Sequence, residues 1–391
     1  MITYEEAINI VRQNLILLGA ERVDIKESLN RVLREDIISD MDMPPFDKSA
    51  MDGYACRKED IGAELEVVET IPAGSKPLKR IGINQCSKIM TGAMIPEGAD
   101  CVIIVEDVME TGAGKIKYKK DKTANNTCLK GEDVKTGDKL LARGIRITPK
   151  EIASLALCGG VNPLVSIKPR VAIISTGDEI VEPYVKPGVT QIRNTNSYQL
   201  IAQCTDFGVV PNYYGIAPDT NEAIGDMIEK AKPENDLIIL TGGVSMGDYD
   251  LVPALLKEKG FDILFDKVAI QPGKPTVFAK GGNKFVFGMP GNPVSSFIAF
   301  EFFVKELLAG LMGLEAYKKE IKCELANDYK RKKSERMARV PVKLGADGKA
   351  EVVEYHGSAH INSLAYAYGV ITVPIGVNEI KKGAIVDVRQ L

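Results

Sequence analysis

Between residues 170 and 293, three short apolar runs each break into a loop rich in glycine and polar side chains. Arg170 to Ser175 leads into Ser175-Thr176-Gly177-Asp178-Glu179, and Asp236 to Leu240 leads into Thr241-Gly242-Gly243-Val244-Ser245-Met246-Gly247-Asp248-Tyr249-Asp250. A third run, near 284 to 288, leads into Gly288-Met289-Pro290-Gly291-Asn292-Pro293. Runs this short and this continuously apolar suit strands buried on both faces, and a parallel sheet covered by helices provides that burial. The intervening pattern agrees. Helices are predicted over about 197–207, 221–232, 251–259 and 293–311, with further strands near 209–216, 262–270 and 276–279. In such a sheet the loops beyond the carboxyl ends of the strands gather at one margin, where ligands bind.

The flanks read differently. Residues 3–19 predict a helix: Thr3 and Glu6 form a capping box, and Ala7, Ile8, Val11, Leu15 and Leu18 share a face before Gly19. Thr148, Pro149 and Glu151 repeat the device for a helix over about 148–159. Between them lie β-type runs such as Leu65–Thr70, Cys101–Val105 and Lys115–Lys119. Residues 316–391 return to short strands, with a hairpin turn at 345–349. The expected fold class is α/β and multidomain. It has a central, mostly parallel, three-layer α/β domain, small flanking β domains and an elongated N-terminal α+β domain. The expected divisions are 1–45 with 144–166, then 46–143, 167–314 and 315–391.

Charge narrows the function. Fifty lysines and arginines face 53 aspartates and glutamates, so nothing favours bulk binding to nucleic acid or membrane, and any anion site must be local. The best membrane-span candidate, Val294 to Val304, is interrupted by Glu301, and the opening MITYEEAINIVRQ places glutamates where a signal peptide needs basic charge. Seven scattered cysteines with no C-x-x-C pair read as reduced cytosolic thiols. The only two histidines, His356 and His360, leave little material for a histidine-based nucleophilic mechanism, and HGSAH lacks the glutamate of a zinc-protease helix.

The glycine-rich loops let backbone N–H groups approach an anion closely, and helix N-termini add positive potential, so the three together describe a phosphate-binding rim. No P-loop or dinucleotide fingerprint is present. Taken singly, Asp250 and Asn292-Pro293 serve equally well as helix caps; three such loops on one sheet favour a site. Glu179, Asp219 and Asp250 fall on strand-to-helix loops and supply hard oxygens suited to magnesium. Lys267 and Lys274, flanking Gln271 in KVAIQPGKP, supply positive charge.

At this point the ordered motifs match a known family. Pro44-Pro45-Phe46-Asp47-Lys48-Ser49-Ala50-Met51-Asp52-Gly53-Tyr54-Ala55 resembles the opening signature of the MoeA-type molybdopterin molybdenumtransferases. So do Met90-Thr91-Gly92-Ala93, Pro96-Glu97-Gly98-Ala99-Asp100, Gly131-Glu132-Asp133, and the STGDE, TGGVSMG, PGKP and MPGNPVS segments, from the first helix to the last strand. The resemblance, which extends to the gephyrin C-terminal region, implies four subdomains and a cytoplasmic homodimer. It also implies a site completed by the partner subunit. The implied reaction takes adenylylated molybdopterin, cleaves its phosphoanhydride with Mg2+, inserts molybdate and releases AMP.

Carried over by motif, Asp52, Glu179, Asp250, Lys267 and Lys274 are the implied catalytic set, with Glu179, Asp219 and Asp250 implied for the metal. Thr91, Asp133, Ser175, Thr176, Gly177, Asp219, Gly242, Gly243, Ser245, Gly247, Gln271, Pro290, Gly291, Asn292 and Pro293 are implied for substrate, with Arg339 and Ser363 from the C-terminal region. The implied partners are a second copy, the small molecules, and the pterin-adenylylating enzyme. The chemistry fits, since a phosphoanhydride between two anions demands charge neutralisation more than covalent catalysis.

The chain departs from the pattern at Asn126-Thr127-Cys128-Leu129-Lys130, where arginines are common, at Gln271, where a basic residue is common, and at Thr220, where a second acid often follows Asp219. Two alternatives compete: a pterin adenylyltransferase, which the flanking domains argue against and ATP consumption would reveal, and a gephyrin-like scaffold, for which nothing here encodes a partner.

Overall fold

The computed structural model describes residues 1–243, 252–315, 320–354 and 357–391. The chain forms two compact units, one from residues 1–35, 143–152 and 162–391, the other from 36–142 and 153–161.

In the larger unit a six-stranded sheet runs in the order Val210–Ala217, Arg170–Thr176, Leu237–Thr241, Lys284–Met289, Val277–Gly281, Asp262–Phe265. The first four strands pair in parallel and the last two join antiparallel. Alternation along the strands gives the layers. Val171, Ile173, Leu237, Ile239, Phe285 and Phe287 enter one buried cluster. Ala172, Ile174, Ile238, Leu240 and Val286 enter another, on the opposite side of the pleat. The first cluster takes apolar residues of the helices Asn196–Phe207 and Lys305–Met312 and of Tyr4–Gln13; the second takes those of Asn221–Ala231 and Val252–Glu258.

The first helix has the predicted capping box, Glu6 N–H donating to Thr3 and Thr3 N–H to Glu6. It stops at Gln13 rather than near 19 because tertiary contacts compete with its final turn. Leu18 N–H donates to the Leu311 carbonyl at 2.9 Å, and Leu15 packs on the bare face at Gly310. The long helix from 293 is continuous but contains a π-helical turn at Phe300–Val304. The strand expected over 262–270 divides. Its first part ends at Phe265, while Ile270–Gln271 pairs in parallel with Met337–Ala338 of the C-terminal sheet. That sheet continues through Gly369–Val373, Ile385–Gln390 and Glu320–Glu324, with Ala350–Val352 forming the predicted hairpin.

The smaller unit carries its own six-stranded sheet, ordered Cys101–Ile104, Gly53–Cys56, Gln85–Ile89, Glu64–Ile71, Lys115–Tyr118, Val108–Gly112. Cys56, Leu65, Cys86, Cys101, Ile103 and Ile116 fill its core. Among the described residues, no helix is long and apolar enough to cross a membrane.

Candidate functional site

The three glycine-rich loops meet. Gly242 follows its strand with φ +102°, and a Cβ there would overlap the Thr176 carbonyl oxygen of the first loop. A Cβ on Gly291 of the third loop would lie 3.9 Å from Gly242 Cα. Asn196 ties the margin together, its Nδ2 donating to Thr241 Oγ1 and to the Gly291 carbonyl, both at 2.8 Å. Parallel pairing in register brings the three strand ends level, and the side chains beyond them then share one space.

That space is a cavity of about 770 Å³. Of the residues singled out in the sequence, Ser175, Thr176, Glu179, Gly242, Pro290, Gly291, Asn292 and Pro293 line it. The backbone N–H groups of Gly243, Gly291 and Asn292 have no acceptor among the described residues, whereas Gly177 N–H is taken by Ala217 O at 3.3 Å and Gly242 N–H by Met289 O at 3.2 Å. Thr176 is 4% exposed and its Oγ1 has no hydrogen-bond partner among the described residues, although buried hydroxyls are normally paired. An unsatisfied hydroxyl beside open amides suits an oxyanion ligand.

The Asn292 side chain does not cap the helix it precedes; its Nδ2 donates to Ser358 Oγ at 2.9 Å, and Val294 N–H is held by Ser358 O at 3.0 Å. Glu179 is exposed and folds back over Gly177, where a Cβ would come within 2.7 Å of its carboxylate oxygen. With φ +145°, Gly177 permits both the turn and this approach.

The other candidates lie elsewhere. Asp219 is half-buried and its N–H donates to Asp178 Oδ1 at 3.2 Å. Lys267 faces Asp266 at 3.9 Å, and the Lys274 carbonyl accepts from Val268 and Thr276 N–H, each at 3.0 Å; neither lysine lines the cavity. Gln271 and Arg339 border a second cavity of about 600 Å³ in the C-terminal sheet region. Arg339 is buried, donates to Thr372 Oγ1 and stacks on Phe302 at 3.9 Å and Tyr4 at 4.4 Å; burial brings its guanidinium down to about 10. Ser363 donates its hydroxyl to His360 O at 2.7 Å. Gly177 and Gly243 flank the cavity residues without lining it. Ser245, Gly247 and Asp250 lie outside the described residues, as does His356.

In the smaller unit, Asp52 accepts from Thr91 N–H at 2.6 Å and Thr91 Oγ1 at 2.7 Å, which holds its carboxyl below the usual range. Asp133 is exposed, its N–H donating to Met43 O at 3.1 Å. Among the described residues, no group of three or more histidines, cysteines and acids is gathered for a metal.

Sequence reasoning missed Asn194, Thr195 and Asn196, which line the cavity, and Ser197 behind them. The signal was a polar run directly before a helix, and it reads as ordinary capping. Thr195 makes no side-chain cap bond, and Asn194 and Asn196 are buried.

Fold and cavity together define the class: an open α/β-sheet protein with a cavity at the strand ends. Family descriptions carry this further: the MoeA N-terminal region (domain I and II) matches residues 2–159, a probable molybdopterin binding domain matches 172–310, and the MoeA C-terminal region (domain IV) matches 322–391. A molybdopterin molybdenumtransferase of Staphylococcus epidermidis is 38% identical over 99% of this chain and 95% of its own length. One of Staphylococcus aureus is 35% identical over the same shares. The crystal structure of the molybdopterin biosynthesis moeA protein from Pyrococcus horikoshii OT3 superimposes with a TM-score of 0.84, at 32% identity and full coverage of both chains. The chain belongs to the molybdopterin molybdenumtransferase family of MoeA proteins, which are transferases of molybdenum cofactor biosynthesis.

Proposed function

We propose that this chain transfers molybdenum from molybdate to adenylylated molybdopterin, with cleavage of the phosphoanhydride and release of AMP. The observation that carries this reading is the cavity at the strand ends, where amides and a Thr176 hydroxyl without partners among the described residues line the wall together with Glu179. Phosphate oxygens would take those donors, and their low-dielectric surroundings strengthen each contact. Magnesium, when bound, would neutralise phosphate charge; the Glu179 carboxylate, on the cavity wall, has no hydrogen-bond or ion-pair partner among the described residues, and Asp219 and Asp250 complete the proposed acid set. Asp52, Thr91, Asp133, Lys267, Lys274, Gln271, Arg339 and Ser363 are proposed contacts for the remaining substrate charge. In this reading the enzyme works in the cytoplasm as a homodimer and receives its pterin from the adenylylating enzyme. The four-part division expected from the sequence belongs to the same proposal.

The test is AMP release from adenylylated molybdopterin by the purified chain with magnesium and molybdate. Glu179→Gln should retain the wild-type melting profile and lose activity by about 100-fold or more, because a phosphoanhydride site depends on charge stabilisation. Undiminished turnover by that variant, or ATP consumption by the wild type in place of AMP release, would defeat the assignment.

A further inference from the structure

Part of the cavity wall is held by a chain of side-chain hydrogen bonds ending on an acid that does not line it. Asn194 is 2% exposed and engages both ends of its amide. Its Oδ1 accepts from Ser197 N–H and from the Ser175 hydroxyl, each at 3.1 Å. Its Nδ2 donates to the Tyr213 phenol at 2.9 Å. Tyr213 donates its one proton to Glu182 Oε1 at 2.6 Å, and Tyr198 donates to Glu182 Oε2 at 3.0 Å.

The direction of these bonds is imposed from both ends, because a backbone N–H only donates and a carboxylate only accepts. Ser175 gives its proton to Asn194, so the Ser197 hydroxyl, 2.7 Å away, donates to Ser175. What remains for the cavity is one lone pair on the Ser175 oxygen and the second Nδ2 proton of Asn194, an acceptor beside a donor. Burial, reinforced by Glu182, raises the Tyr213 phenol above its usual range and keeps it a donor.

We propose that Tyr213 and Glu182 are positioning residues: through Asn194 they orient this acceptor–donor pair, against which a substrate ring edge carrying both an N–H and an accepting atom docks, without touching that substrate. This rests on the proposed pterin reaction for its substrate, but the positioning itself belongs to the free protein.

Two measurements on the full chain test it. In the unliganded crystal structure of Tyr213→Phe, Asn194 Nδ2 loses its acceptor, so the amide should rotate and break the Ser175–Asn194 bond; an unmoved Asn194 overturns the proposal. In steady-state assays with adenylylated molybdopterin, Tyr213→Phe and Glu182→Leu should each raise KM about tenfold with kcat within about twofold, the pattern of lost binding rather than lost chemistry. Glu182→Gln keeps an accepting oxygen and should remain near wild type, and the Tyr213→Phe/Glu182→Leu double variant should be no worse than either single one. Unchanged KM, a fall in kcat alone, or additive losses overturn it. Wild-type protein that releases no AMP would defeat the proposed function, and the crystal structure would then decide the positioning role alone.

Discussion

Both donors of Thr91 converge on a single oxygen of Asp52, the backbone N–H at 2.6 Å and the hydroxyl at 2.7 Å. The amide contributes most to the lowered pKa of Asp52, the hydroxyl next. A carboxyl with a lowered folded pKa contributes stability above its unfolded value and loses it as pH falls through the folded one. Asp52 therefore keeps its charge to a pH below the usual aspartate range.

Thr91→Val keeps the amide and removes the hydroxyl. If turnover requires the Asp52 carboxylate, the acid limb of the pH–rate profile at saturating substrate should move to higher pH, whatever the variant loses in substrate affinity. AMP release measured from about pH 3 to 8 spans the ordinary aspartate range. An acid limb that stays in place would remove Asp52 from the reaction.

Thr176→Val separates binding from stability. The Thr176 hydroxyl is buried without a partner among the described residues, so its isosteric removal should leave the melting midpoint unchanged or raise stability by up to about 1 kcal/mol. Affinity for adenylylated molybdopterin should meanwhile fall roughly tenfold, the value of one hydrogen bond to a charged group. Calorimetric melting and titration together check this; a variant that melts earlier yet binds normally would mean that the hydroxyl serves the fold.

Gly242→Ala should lose stability and binding together. At φ +102° the new methyl group meets the Thr176 carbonyl oxygen, a backbone atom that cannot rotate away. A cost of about 2–4 kcal/mol is expected from strain and overlap combined. Melting should fall by several degrees, with binding lost as the first two loops separate. An unchanged melting midpoint would show that the margin has more room than its geometry indicates.

Much of the central sheet was legible because its cues are local. Val171 and Ile173 alternate with Ala172 and Ile174, and each pair enters a different buried cluster. The Thr3–Glu6 capping box needs only four adjacent residues. Less legible was how the cavity is furnished. Asn194 and Asn196 stand in a polar run that, taken as a one-dimensional pattern, starts a solvated helix, yet burial turns them inward to brace Ser175, Thr241 and Gly291.

By itself the sequence determined the parallel-sheet core, the turns at its strand ends and membership of a family, because periodicity, capping and motif order are carried by neighbours along the chain. Tertiary structure alone decided that Ile270–Gln271 leaves the strand before it to pair with Met337–Ala338, that Asn292 reaches Ser358 instead of capping its own helix, and that Glu182 is joined to the cavity through Tyr213. A polar side chain takes whichever partner packing brings within about 3 Å. For these residues the partners lie far away in the chain, so no local pattern could announce them.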